Sequence, residues 1–434
     1  MDQQSMQIKK WLKKAENKHS AGDHTTAKVL YKKILKLNPD HVDANYLLGA
    51  LLAEKGETRK ALHYTLKAES VTTRSPYIKN NLGNLYRMSG DDTQAEKYFN
   101  DALAIDPGMP EALNNLGILY RRLNCNEQAI QYYLGAINAD PTFVAAYYNL
   151  GKTYKDEQNT QHAIDCFTQA LKLHPHHILS HNELGDCYMS LQQKDLALYH
   201  FKEYLHLCKQ DDCGVALKMA RLSEGELPDR HPTELVRQSY ALKARDWDQN
   251  VSRPNMEFLG PQLIQAMLKD LSLRPMENTV LDLGCGTGLC GPALKPFSQQ
   301  LDGVDLSKQM LQIAASKSLY DHLTEGDAEW FLRQNPGRYQ LVCASGVLIF
   351  FGDLSAMMQA AAQAISPNGV FLFTTYKSQG DAVQIRNNLH FAHSADHIRK
   401  TAGAAGLRVA RLDEVIHEYD FGEPQRGYAV CLVK

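Results

Sequence analysis

The chain has 434 residues, long for one core and comfortable for two domains. Its 47 Lys and Arg against 49 Asp and Glu leave a formal charge of −2, which excludes the basic footprint of a general nucleic-acid binder. Hydrophobic residues make up 44%, and no apolar run nears the roughly 20 residues of a membrane span, so a soluble protein is expected. Met1 to Lys14 is amphipathic and lysine-rich, without the apolar core or cleavage site of a signal peptide. Nine scattered cysteines form no Cys-x-x-Cys pair and read as reduced thiols, which points to the cytoplasm.

From Ile8 the same residue types recur every 34 positions. One column holds Ala15, Gly49, Gly83, Gly117, Gly151 and Gly185, and another holds Ala27, Ala61, Ala95, Ala129, Ala163 and Ala197. Rings recur at Tyr86, Tyr120, Tyr154 and Tyr188, and again at Tyr31, Phe99, Tyr133, Phe167 and Phe201. Pro39, Pro107, Pro141 and Pro175 close the blocks. Small residues let paired helices approach, rings fill the space between pairs, and Pro stops the second helix. The second block is weakest, with Leu52, Thr65 and Thr73 in the ring, ring and Pro columns, and a looser stack is expected there. Over residues 8–211 this pattern resembles six tetratricopeptide repeats (TPRs), which implies an all-α solenoid with a concave surface that grips a protein or peptide.

Asn81, Asn115 and Asn149 share one column on the first helix of successive repeats, and Asn80 and Asn114 precede two of them. The column is similar to the asparagine ladder of the O-linked N-acetylglucosamine transferase superhelix, where carboxamides hold an extended polypeptide by its backbone. A carboxamide donates and accepts at once, as a peptide unit does. The alternative is that these residues only join neighbouring helices. His174, His176, His177 and His181 lie at a repeat junction with no carboxylate or cysteine at ligand spacing, so they read as turn surface, and no metal site is expected.

The period breaks at residues 212–232. Gly214 to Leu222 has the spacing of a capping helix, and Glu224 to Pro232 reads as a turn-rich linker. A helix over Thr233–Asp248 opens the last domain, residues 233–434, and carries Tyr240 and Trp247, which either cover a cofactor or dock that helix.

Strands are predicted at Thr279–Leu283, Leu301–Asp305, Leu323–Glu325, Gln340–Ala344, Val370–Thr375, Leu407–Ile416 and Tyr428–Val433. Helices fit between the first five, so a seven-stranded, doubly wound sheet is expected, with its last two strands as an antiparallel hairpin. The first strand runs into Asp282-Leu-Gly-Cys-Gly-Thr-Gly288, where Gly284, Gly286 and Gly288 let backbone approach a ligand. Asp305 ends the second strand, placed to accept from ribose hydroxyls, and Asp327 with Ala328 ends the third, at the height of an adenine. Gly286 to Gly291 also satisfies Gly-x-Gly-x-x-Gly, so NAD is a rival. Asp282, the extra Gly284 and the terminal hairpin favour S-adenosylmethionine (SAM).

Across residues 235–434 these residues look like the class I SAM-dependent methyltransferases, with their Rossmann-like fold. The whole layout is similar to bacterial predicted methyltransferases fused to TPRs, through Phe351-Gly-Asp-Leu354 and Phe391-Ala-His-Ser394. The resemblance implies that Tyr240, Trp247, Asp282, Gly284, Cys285, Gly286, Gly288, Asp305, Leu306, Asp327, Ala328 and Ser345 contact SAM. Gly346 stands where that resemblance would place an Asp. No Asn/Asp-Pro-Pro-aromatic turn and no Pro-Cys nucleophile follows the fourth strand, which counts against planar-nitrogen and covalent pyrimidine methylation. His390 and His393 can supply a base near neutral pH, His393 being preferred for its place in the Ala-His-Ser match, with Tyr376 as a second candidate.

Three functions fit. The array recruits a protein or peptide that is, or presents, the methyl acceptor; or the enzyme methylates a small metabolite and the array docks it; or the fold binds SAM as a scaffold without turnover.

Overall fold

The computed structural model describes residues 3–222, 226–253, 255–271 and 276–434. Met1 and Asp2 of the amino-terminal stretch, and Ser223, Glu224 and Gly225 where the expected linker begins, lie outside the described residues. The chain divides into two compact units, Met1–Glu203 and Tyr204–Lys434.

The first unit is helical throughout. Its hairpins pair α1 (Gln3–Ser20) with α2 (His24–Leu37), α3 (Val42–Glu54) with α4 (Thr58–Val71), and α5 (Pro76–Ser89) with α6 (Asp92–Ile105). They continue with α7 (Pro110–Arg122) and α8 (Asn126–Ala139), α9 (Val144–Asp156) and α10 (Thr160–Leu173), then α11 (Ile178–Ser190) and α12 (Lys194–Leu207). The two sequence columns meet inside each hairpin. A Cβ on Gly83, Gly117, Gly151 or Gly185 would come within 2.2–2.7 Å of the ring of Phe99, Tyr133, Phe167 or Phe201. Glycine is there because the facing ring occupies the space a methyl group needs. In the weak second block Gly49 meets Thr65 instead, whose hydroxyl donates to Ala61 O at 3.0 Å.

The turn inside each hairpin has its own period. Gly22, Gly56, Gly90, Asn124, Gln158 and Gln192 all adopt positive φ, between 58° and 83°. Each follows the first helix of its pair, where a left-handed residue ends the helix. Asp23, Ser75, Asp91 and Asn159 then cap the helices that start after them, each side chain accepting the amide three residues on.

The second unit holds a nine-stranded sheet: β1 (Asn278–Leu283), β2 (Ser298–Asp305), β3 (His322–Glu325), β4 (Tyr339–Ala344), β5 (Ile365–Lys377), β6 (Gln384–Ile385), β7 (Phe391–His393), β8 (Arg408–Asp420) and β9 (Glu423–Val433). The order β3-β2-β1-β4-β5 is parallel, and β9 runs antiparallel between β5 and β8. The seven expected strands are all present, and the last two form the long antiparallel hairpin. Strands β6 and β7 were not anticipated. They are two and three residues long, inside a stretch that reads as turns, and β7 extends β5 through Tyr376↔Ala392 and Lys377↔His393.

Two apolar layers cover the sheet. One gathers Leu281, Val342, Phe371 and Phe373 with Met357, Met358 and Ala361 of the helix Ser355–Ala364. The other gathers Val280, Leu301, Leu341 and Leu372 with Ile264, Met267 and Leu268 of the helix Gly260–Lys269. Burial on both faces is what a parallel sheet requires, and it leaves the carboxyl ends of β1, β2 and β4 open.

Residues Val215–Arg221 form a helix, and Arg221 donates to Asn387 O at 3.0 Å within the second unit.

Gly117→Ala is expected to lower the thermal midpoint of the helical unit, because overpacking the Tyr133 ring costs about 1–3 kcal/mol, more than the helix preference of Ala returns. Gly135→Ala, whose nearest neighbour would be Leu113 at 3.7 Å, is expected to be neutral or stabilising by up to about 1 kcal/mol. Thermal melts followed by circular dichroism compare the two; equal losses would contradict the ring-contact account.

Candidate functional site

A cavity of about 620 Å³ opens over the carboxyl ends of the parallel strands, within the range of about 300–1,000 Å³ usual for small-molecule sites. Its floor is the turn after β1. Gly284, Gly286 and Gly288 have φ of 66°, 55° and 85°, a region that other residues enter at a penalty. A Cβ on Gly284 would lie 2.4 Å from Val347 Cγ2, whereas one on Gly286 would meet nothing within 4 Å. The first glycine is needed for packing and the second leaves open space at the cavity.

Asp305 fixes this turn. Its Oδ2 accepts Gly286 N at 2.9 Å and its Oδ1 accepts Ser307 N at 2.8 Å. Burial raises its pKa, opposed by the two amides. Each oxygen keeps a lone pair for a ligand. Asp282 lies beneath the turn at 2% exposure and accepts Tyr320 Oη at 2.6 Å. Burial pushes its pKa up to about 7; the Tyr320 bond lowers it and the Asp305 charge adds to the rise. Cys290 and Cys343 offer sulfur within 4.8 Å of the Asp282 carboxylate, all three groups being buried. The Cys290 contact and burial hold the Cys343 thiol well above its usual range.

The approach helix contributes one wall. Tyr240 and Trp247 meet edge to face, with centroids 5.2 Å apart, and Tyr240 also meets Phe350 at 5.8 Å. Asp248 accepts from Thr287 Oγ1 in the glycine turn and from Lys317 Nζ at 2.6 Å. That carboxylate therefore clamps the turn to the end of the helix Lys308–Ser316.

Asp327 has two tasks besides lining the cavity. It caps the helix Ala328–Gln334 through Trp330 N at 3.1 Å and pairs with Arg230 Nη2 at 2.5 Å. Burial would raise its pKa, but Arg230 and the Trp330 amide hold it below the usual range. Arg230 reaches it because residues 229–231 run against 350–353, with His231 N donating to Phe350 O at 2.8 Å and Gly352 N to Asp229 O at 2.6 Å.

Of the residues expected to contact a cofactor, Tyr240, Trp247, Asp282, Gly284, Cys285, Gly286, Asp305, Leu306, Asp327, Ala328 and Ser345 line this cavity. Gly288 does not; it sits behind the turn, where a Cβ would meet Tyr320 at 2.9 Å. Tyr376 lines the cavity, but its hydroxyl donates to Glu418 Oε1, and burial with that carboxylate raises the phenol far above its usual range. It is poorly suited to take a proton.

The expectation for His393 is corrected. It lies outside the cavity, at 0% exposure on β7, with Nδ1 2.8 Å from Thr375 Oγ1 and Nε2 2.7 Å from Phe351 O. Both ring nitrogens are used in joining β5 to the β4 exit loop, so neither reaches a substrate. His390, the other histidine named as a candidate base, does line the cavity, as do Phe350, His417 and Glu418, which the sequence reading did not select. Burial holds His390 and His417 at about 3, with cationic neighbours adding to the shift. His390 Nδ1, His417 Nδ1 and Ser345 Oγ are buried without a hydrogen-bond partner among the described residues.

In the helical unit the asparagines pair with each other. Asn115 Nδ2 donates to Asn80 Oδ1 at 2.9 Å and Asn149 Nδ2 donates to Asn114 Oδ1 at 3.0 Å, each bond joining successive repeats. Asn115 and Asn149 keep their carbonyl oxygens and one N–H each, and Asn81 makes no side-chain hydrogen bond among the described residues.

The methyltransferase-domain family matches residues 255–409, and tetratricopeptide-repeat families match 18–70, 76–109, 110–143 and 144–177. The chain is a fusion of tetratricopeptide repeats with a methyltransferase domain. Its methyltransferase domain is similar to malonyl-acyl-carrier-protein O-methyltransferase of Halalkalibacterium halodurans, 34% identical over 123 residues, 26% of this chain and 44% of that one. It is also similar to ubiquinone biosynthesis O-methyltransferase of Paraburkholderia xenovorans, 30% identical over 138 residues, 31% of this chain and 59% of that one. The chain thus spans about half the length of these relatives. Its repeats are similar to the crystal structure of the APC/C hetero-tetramer Cut9-Hcn1, at 20% identity and TM-score 0.46, over 50% of this chain and 43% of that one. No described helix is long and apolar enough to cross a membrane.

Asp282 makes a pH prediction. Its folded pKa of about 7 lies above the ordinary 3.8, so the unfolded chain loses the proton first as pH rises. The resulting destabilisation accumulates between pH 4 and 7 and is constant above, at most about 4 kcal/mol. Asp282→Asn in the methyltransferase domain is therefore expected to melt higher than the parent at pH 8, and by a smaller margin at pH 5. A variant less stable at both values would show that the carboxylate is stabilising.

Proposed function

We propose that the methyltransferase domain transfers a methyl group from SAM to an acceptor oxygen, and that the repeats hold a polypeptide that is, or carries, the acceptor. The observation that carries the reading is the glycine turn held by Asp305, with open space at Gly286 and a carboxylate edge left for hydroxyl groups. Asp282 with Gly284, Cys285 and Gly286 forms the cradle for the amino-acid end of the cofactor. Asp305 takes the ribose, and Leu306, Asp327 and Ala328 flank the adenine. The Asp327–Arg230 pair leaves this carboxylate a lone pair for an exocyclic amine. Tyr240 and Trp247 cover the site, and Ser345 supplies one of its unpartnered hydroxyls. SAM supplies a methyl group on a sulfonium, and the protein's part is alignment and removal of a proton from the nucleophile. Oxygen is the proposed acceptor atom because both relatives are named as O-methyltransferases.

The repeats support a polypeptide partner through Asn81, Asn115 and Asn149. Tethering raises the effective concentration of a carried acceptor and so relaxes the demand on the cavity. A second reading, a small free acceptor with the repeats used for docking, is favoured by the names of the same relatives. Location in the cytoplasm follows from the reduced-thiol reading of the nine cysteines.

Titration calorimetry of the full chain with S-adenosylhomocysteine is expected to give micromolar or tighter binding, abolished by Gly286→Arg. Incubation with labelled SAM and lysate then separates the readings. Label in a discrete protein band, reduced at least about tenfold when Asn81, Asn115 and Asn149 are changed to Ala with helicity intact, supports recruitment through the repeats. Label confined to small molecules favours docking, and binding without label anywhere favours a scaffold.

A further inference from the structure

We infer that His417 and Glu418, set side by side by a β-bulge in β8, form the acceptor site, and that they read and deprotonate an uncharged hydroxyl group on a flat apolar molecule. The inference rests on the methyltransferase reading above and names its substrate class.

Neighbouring residues on a regular strand face opposite sides of the sheet. These two both line the cavity. The register explains it: Ile416 pairs with Arg426 and Glu418 with Gln425, so His417 is the extra residue of a bulge. Bulges re-aim side chains in this way. The bulge is supported on both sides. Gly427 on β9 makes room for it, since a Cβ there would lie 2.8 Å from His417 Cβ and 2.4 Å from Thr375 O. The backbone left over is taken up by residues 257–259, with Leu259 N donating to His417 O at 3.1 Å and Tyr419 N to Glu257 O at 2.8 Å.

The hydrogen bonds then assign roles. Gly346 N donates to Thr374 Oγ1 at 3.0 Å, and Thr374 Oγ1 lies 3.1 Å from His417 Nε2. If the threonine hydrogen is given to Nε2, every group in that chain is used, and the ring hydrogen stands on Nδ1, which has no partner among the described residues. His417 therefore presents an N–H. Glu418 presents the complement: Tyr376 Oη donates to its Oε1, and its Oε2 lies 4.0 Å from His417 Nδ1. An oxygen about 2.8 Å from both atoms would subtend about 90° there, near the tetrahedral angle of a hydroxyl. Phe258, Phe350, Tyr376 and Tyr240 supply flat apolar walls around it.

Among neutral oxygen and nitrogen groups, a hydroxyl satisfies both partners and still reacts. Its oxygen accepts from His417 with one lone pair, donates its hydrogen to Glu418, and keeps a second lone pair for the methyl group. A neutral amine has one lone pair and cannot both accept and attack. A carboxylate has no hydrogen for Glu418 and is repelled by it and by Asp420, which also lines the cavity. In the step, the hydroxyl oxygen bonds to the methyl carbon as the carbon–sulfur bond breaks. That electron pair stays on sulfur as a thioether, and the hydroxyl proton passes to Glu418 Oε2 and later to water. Burial raises the Glu418 pKa, strengthening it as a base, and keeps His417 neutral.

The test uses the full chain saturated with S-adenosylhomocysteine and four matched probes: 2-naphthol, 2-methoxynaphthalene, 2-naphthylamine and 2-naphthoate. Naphthol is expected to bind at least about tenfold tighter than its methyl ether, because the ether leaves Glu418 unpaired. Glu418→Gln and His417→Phe are each expected to bring the two within about threefold while S-adenosylhomocysteine affinity stays within about threefold. With labelled SAM, label is expected on naphthol and not on the amine or acid, and Glu418→Gln is expected to lower kcat at least about 100-fold, beyond any change in KM. Equal binding of naphthol and its ether, preferred labelling of the amine or acid, no labelling of naphthol, or an unchanged rate in Glu418→Gln overturns the inference. If S-adenosylhomocysteine does not bind at all, the methyltransferase reading fails first and this one with it.

Discussion

The bond from Gly286 N to Asp305 holds the cavity open. Three left-handed glycines contribute no side chains to keep the turn's shape, so bonds to neighbouring elements must hold it. Asp305 does so from the next strand, taking Gly286 N with one oxygen and Ser307 N with the other. Because β1 and β2 are paired in register up to Leu283↔Val304, the carboxylate arrives at the height of the turn without adjustment. Asp248 holds the same turn from the opposite side through Thr287. The floor is therefore preorganised, and the apolar layers on both faces of the sheet are what keep its two strands from shifting.

That arrangement has an energetic consequence. Asp282, Asp305 and Glu418 all lie at the cavity with pKa values raised by burial, so their ionised forms are less stable there than in water. Nothing in the packing of the core needs three carboxylates in one place. Elsewhere in the same domain Asp302, at 2% exposure like Asp282, has Arg338 at 2.7 Å and Tyr339 at 3.0 Å as partners.

What could be read in the sequence was whatever depends on side-chain size at a fixed spacing. The 34-residue columns were legible because four of the five column glycines face a ring in the structure, a contact that demands a small residue opposite a large one; Gly49, opposite Thr65, is the exception. The glycine turn, Asp305 and the terminal hairpin were legible for a related reason: apolar strands alternate with turns, and the motif sits at the end of one. His393 was misread because Phe391, Ala392 and His393 are buried without alternation, on a strand too short to leave a pattern. The bulge at His417 was beyond reach altogether. It is a property of pairing, made by the offset of Ile416 and Glu418 against β9, and Gly427, its only sequence trace, reads as an ordinary glycine in a strand.

The asparagines carry the same logic into the helical unit. A free ladder and a set of joints between repeats look alike in sequence, since both need Asn at a period of 34. The structure separates them by atom. One N–H of Asn115 and one of Asn149 is committed to the preceding repeat, which fixes each carboxamide's rotation. The oxygen and the second N–H that remain are thereby held in one orientation. A carboxamide held in this way loses less rotamer freedom on meeting a peptide group than a free one would. The joint between repeats and the proposed grip on a polypeptide would then be two uses of one side chain, the first strengthening the second.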